Sequence, residues 1–113
     1  MQDLMRELHE KISLLDLAVS SLKERGRVRA ETERAYRMAL SKRLLQLRTE
    51  KQPVTHLADI VRGEEEVSRL RFERDIAESL YDSAKQAIYS YKLQIQLLNT
   101  QIGREYGRPH DVG

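Results

Sequence analysis

The sequence predicts an all-α protein: a long antiparallel helical hairpin, coiled-coil-like, with a short connecting helix. Three observations carry that expectation. Apolar residues recur at spacings of three and four along most of the chain, which is the period of one helix face. Only two prolines occur, Pro53 and Pro109, so two long stretches run free of helix breakers. Of the 113 residues 34% are charged, and the aromatic set is five Tyr and one Phe with no Trp. That balance suits helices with broad solvated faces better than a compact aromatic core.

The first helix is expected over residues 2–49. Leu4, Leu8, Ile12, Leu15, Val19 and Leu22 form one stripe, which fades at Gly26, Arg27 and Arg29 and resumes at Tyr36, Leu40, Leu44 and Leu47. Gly26 follows Lys23 and Arg25, so it is placed either to end a helix or to kink one. Pro53 stops the first helix, because it disfavours helical geometry at Gln52 and has no N–H to donate. Thr55 then suits the N-cap of a short helix over 56–62, with Gly63 as its stop. The third helix is expected over 64–103, opened by Glu64, Glu65 and Glu66 where the helix dipole favours acids. Its seam reads Val67, Leu70, Arg74, Ala77, Tyr81, Ala84, Ile88, Tyr91, Ile95, Leu98 and Ile102, five heptads with a single charged member. Gly103, Gly107 and Pro109 are expected to close it, leaving residues 1–106 as one domain and 107–113 as a loose tail.

Charge supports the same fold. Net charge is +2, yet residues 23–51 hold ten Lys and Arg against four acids, and residues 59–82 hold eight acids against four Arg. Folded back with the turn near Leu57, position 43 faces about 71 and position 29 about 85, so the basic block lies along the acidic one. Each exposed pair adds only a few tenths of a kcal/mol, so the larger gain is in register. Leu93 and Leu97, and Leu14 and Leu17 opposite them, lie outside the seam and are expected to carry self-association into a dimeric helical bundle. Phe72 and Ile76 are expected to be covered by Leu57, Ile60 and Val61 of the short helix.

The residues exclude several chemistries. With no cysteine, disulfides, thiolate metal sites and thiol catalysis are absent. His9, His56 and His110 are too far apart for a local ligand set, and the five glycines form no phosphate-binding loop. No catalytic residue, metal ligand or cofactor site is therefore expected, and the chain reads as non-enzymatic. Apolar runs of two or three residues fall far short of the roughly 20 a membrane span needs, and no secretory signal opens the chain. A cytoplasmic location follows as the expectation.

Arg74, a charge in an apolar seam, needs a partner, and Glu33, Tyr36 and Glu78 are the expected neighbours. Arg27, Arg29, Arg34, Tyr36, Arg37, Arg71 and Arg74 are the candidates for binding a partner. The same basic stretch could instead track a phosphate backbone, although the acidic helix neutralises part of it and few aromatics are present for base stacking.

Three stretches also resemble a known family: Glu33-Arg34-Ala35-Tyr36-Arg37-Met38-Ala39-Leu40; Pro53-Val54-Thr55 with Asp59 and Arg62-Gly63; and Leu70-Arg71-Phe72-Glu73-Arg74-Asp75-Ile76-Ala77-Glu78-Ser79-Leu80-Tyr81. Together they look like small helical proteins encoded by phages and prophages of Gram-positive bacteria, over most of residues 28–106. The resemblance implies a phage setting, often beside replication or recombination genes, and no catalytic residues. The leading expectation is a non-enzymatic protein in the host cytoplasm that binds a host or phage protein, with inhibition of a defence or nuclease complex as one form. The alternative is a DNA-binding accessory of recombination or replication that uses the basic face of the first helix.

Overall fold

The computed structural model describes residues 2–48 and 53–107. They form three helices, α1 Gln2–Leu47, α2 Val54–Arg62 and α3 Glu65–Gly107, and no strand occurs among them. Side chains of α1 meet those of α3, so the chain is a helical hairpin with a short connecting helix. Contacts gather it into two compact units. One unit is Glu24–Tyr81, and the other joins Met1–Lys23 to Asp82–Gly113.

In the first of these units the core is Tyr36, Val61 and Val67, with Leu40, Leu44, Leu47 and Leu70 packed against it. Val61 and Val67 have 0% and 1% of their surface exposed. Burying side chains of this size contributes about 1.5–3 kcal/mol each. α2 reaches this core because Leu57, Ala58 and Val61 share one face and are all buried, while His56 and Asp59 on the other face are exposed. It starts one residue before the expected Thr55 cap. Pro53 is the N-cap, its carbonyl accepts from the Leu57 N–H at 3.0 Å, and no side chain caps the end. Gly63 does end α2, but in right-handed geometry (φ −85°, ψ −10°), with its N–H donating to the Ile60 carbonyl.

In the other unit Leu8, Ala84 and Leu98 are buried, and Ile88, Tyr91, Ile95 and Ile102 are half-buried as the seam predicts. The α1 stripe differs from the expected one. Ile12 and Val19 are exposed, whereas Lys11 and Ala18 beside them are half-buried. The contact line therefore follows Leu4, Leu8, Lys11, Leu15, Ala18 and Leu22, a heptad spacing that the Lys11 stem can satisfy while its amine stays wet.

The first helix is single, as expected, and Gly103 does not close the third. α1 continues through Gly26, and α3 continues through Gly103 to Gly107. A helical glycine costs about 1 kcal/mol relative to alanine, too little to stop a helix held by packing on both sides. The expected tail apart from Gly107, and the end of the first helix at residue 49, lie outside the described residues.

Candidate functional site

The site lies wholly within the Glu24–Tyr81 unit, and the pairing of α1 with α3 builds it. Arg29 meets Glu78 at 3.6 Å, and four residues along α1 Glu33 meets Arg74, four residues back on α3, at 3.5 Å. Ten residues further, Arg43 grips Glu64 through two hydrogen bonds, Nε donating at 2.8 Å and Nη2 at 3.0 Å. This fixes an antiparallel register that differs from the expected one. Position 43 meets 64 rather than 71, and 29 meets 78 rather than 85. The difference is one heptad, so the seam residues are unchanged. Its cause is α2, which packs Val61 on the core beside Leu44 and Leu47 and so covers the last turns of α1. α3 then begins opposite Arg43 instead of running symmetrically away from a turn at Leu57.

That register brings a repeated motif into contact with itself. Arg29, Glu33 and Tyr36 on α1 have the same spacing as Arg74, Glu78 and Tyr81 on α3. Each arginine crosses to the acid and the ring of the other helix. The Arg29 guanidinium stands 4.8 Å from the Tyr81 ring centroid beside Glu78, and that of Arg74 stands 4.6 Å from the Tyr36 centroid beside Glu33. The two halves differ in burial: the Arg74 side chain is 22% exposed and Arg29 45%. Asp75 also accepts from Arg74 Nη2 at 2.8 Å, and that hydrogen bond is the main reason the guanidinium is held still more firmly protonated. Gly26 belongs to the same arrangement. A Cβ there would lie 3.3 Å from the Tyr81 ring, so the missing side chain lets the ring lie against α1.

Four of the seven expected binding residues, Tyr36, Arg37, Arg71 and Arg74, line one groove of about 390 Å³. Arg29 lines a neighbouring concavity of about 570 Å³, whose wall shares Glu33 and Arg74 with the groove. The remaining two lie elsewhere. Arg27 is exposed and held by Glu24 and Glu31 of its own helix, and it keeps the Glu24 carboxyl below its ordinary range chiefly through their hydrogen bond. Arg34 is exposed and lines neither concavity. Arg62 joins the groove although it was not among the expected binding residues, because the docking of α2 carries it there. The repeated Arg-x-x-x-Glu-x-x-Tyr spacing is the signal that could have paired Arg29 with Tyr81 from sequence.

Two rows of large apolar residues stay exposed on α3. Phe72, Ile76 and Leu80 lie four apart in the same unit as the groove, and Phe72 is 65% exposed. The expected cover from α2 is absent, since Leu57 and Val61 turn into the core and Ile60 is itself exposed. Tyr89, Leu93 and Leu97 form the second row, in the other unit, where Leu14 and Leu17 of α1 are also exposed. Leu17 and Leu97 are the barest of these, 67% and 70% exposed.

Among the described residues no cluster of three or more His, Asp or Glu could hold a metal ion, and no helix is long and apolar enough to cross a membrane. Comparison with protein-family models, curated proteins and solved structures found no match for the chain.

Proposed function

We propose that this chain is a non-enzymatic, phage-type helical protein that binds a host or phage protein in the host cytoplasm, with a defence or nuclease complex among the targets that would suit it. The observation that carries the reading is the row Phe72, Ile76 and Leu80. Three large apolar side chains four residues apart make a ridge of the kind that seats in the groove of another helix. Leu14, Leu17, Leu93 and Leu97 serve a second copy of the chain in the same way. A stable dimer interface buries about 1,200–2,000 Å² in total, which calls for rows of this kind rather than isolated residues.

The basic stretch supports the same choice over DNA. Arg27, Arg29 and Arg43 are each held by a carboxylate of this chain, and a duplex would have to displace those acids. The test compares capture of proteins from a Gram-positive host lysate by three forms of the chain. Capture should fall when Phe72 and Ile76 are both replaced by Glu, and persist when Arg27 and Arg34 are. Capture that ignores the apolar pair, or a salt-sensitive complex with duplex DNA lost on changing the arginines, would overturn the proposal.

A further inference from the structure

The groove between α1, α2 and α3 has a charge pattern that the chain does not complete. Along its wall the contacts across the hairpin alternate in sign. Arg29 meets Glu78, and one turn on Glu33 meets Arg74. After one more turn the sequence supplies Arg37 on α1 and Arg71 on α3, two like charges lining the same concavity, and α2 adds Arg62 as a third. Glu33, already beside Arg74, is the only acid in that lining and also holds Arg37. Arg62 reaches Asp59 at 3.3 Å, a contact between exposed groups, while Arg71 has no ion-pair partner among the described residues. Four guanidinium groups thus share one concavity with a single lining acid, and a further anion bound there would relieve their mutual repulsion.

We infer that this groove binds an acidic peptide segment of a protein partner, with carboxylates received by Arg37, Arg62 and Arg71. Guanidinium groups suit this because their forked donors meet carboxylates two bonds at a time. The surroundings favour a short peptide over a nucleic acid backbone. Arg37, Arg62 and Arg71 share one concavity of about 390 Å³, and Asp59, Glu73 and Asp75 stand on the adjacent turns, where an extended line of phosphates would have to pass. Leu40, half-buried in the lining, gives the groove one apolar side that suits the methylenes of glutamate. This inference rests on the protein-partner reading and adds the chemistry of what the partner presents.

The experiment uses the intact chain and a fluorescein-labelled hexaglutamate peptide, followed by anisotropy at low salt, with a labelled DNA duplex as a second arm. Arg71→Glu should weaken peptide binding by about tenfold or more, since it removes one charge-assisted contact and gives Arg37 and Arg62 an internal partner. Lys92→Glu makes the same charge change on an exposed residue of the other unit and should leave binding within about twofold. Arg71→Ala repeats the test without a new acid, and an unchanged circular dichroism spectrum shows that each variant folds. No peptide binding, or equal losses in the Arg71 and Lys92 variants, would overturn the inference. So would a duplex that binds more tightly than the peptide and responds to Arg71. Because the peptide assay needs no apolar row, its failure beside a successful Phe72 and Ile76 capture test would sink this inference alone.

Discussion

The crossed arginine–tyrosine pairs should differ in strength, because the same contact occurs twice at two depths. Arg74 keeps 22% of its side-chain surface and stands over a Tyr36 that is 5% exposed, while Arg29 keeps 45% and stands over a half-buried Tyr81. A cation over an aromatic face contributes about 0.5–1 kcal/mol when exposed and about 2 kcal/mol when desolvated. That range places the Arg74–Tyr36 coupling at about 1.5 kcal/mol and the Arg29–Tyr81 coupling at about 0.5 kcal/mol. Two double-mutant cycles measure them: Arg74→Met with Tyr36→Leu, and Arg29→Met with Tyr81→Leu. Methionine keeps the stem and leucine keeps an apolar body, so each cycle isolates the cation on the ring. The loss of the Glu33 or Glu78 ion pair occurs in both arms of its cycle and cancels. Urea unfolding supplies the free energies, from transitions whose slopes stay constant across the set. Couplings equal within about 0.3 kcal/mol, or both near zero, would refute the argument that burial sets the worth of these pairs.

Other outcomes follow from the same geometry. Val61→Ala removes two buried methyl groups from the centre of the core and should cost about 2–3 kcal/mol by urea unfolding, whereas Ile60→Ala, at an exposed position, should cost well under 1 kcal/mol. Gly26→Ala should gain less than the roughly 1 kcal/mol of helix propensity, since the new Cβ meets the Tyr81 ring at 3.3 Å; Gly26→Leu should destabilise by about 1–3 kcal/mol through forced repacking of that ring. Glu24 and Glu66 are held below the ordinary glutamate range by their hydrogen bonds to Arg27 and Arg69. Their folded pKa values are depressed, so what they add to stability is present above the ordinary value of about 4.3 and is lost as pH falls through the lowered one. Carboxyl NMR should show both titrating below the ordinary glutamate range, with Arg27→Ala returning Glu24 alone to it.

How much of this was legible in the sequence depends on what fixes each feature. The α3 seam was readable because almost every member is apolar and the spacing never slips; each of those residues is buried or half-buried. On α1 two adjacent lines compete. Ile12 and Val19 are more apolar than Lys11, but the face that turns inward is set by the facing helix, which periodicity on one helix does not reveal. Register was ambiguous for a related reason. A heptad seam looks the same after a shift of seven, and the matching of basic to acidic blocks tolerates that shift; Arg43 with Glu64 and the packing of Val61 decide it. Arg74 stood out as a charge among apolar residues. Arg62 carried no such mark, because its place in the groove depends on how α2 docks. Gly26 was read as a helix signal when its role is to admit a ring from the other helix.

Size-exclusion chromatography with light scattering, run with and without a short DNA duplex at moderate salt, tests the central claim of apolar recognition most directly. The account predicts a dimer that the duplex leaves unchanged and that falls to monomer when Leu93 and Leu97 are both replaced by Glu. A monomer in which those substitutions change nothing, shifting only when duplex is added and no longer shifting at high salt, would contradict it.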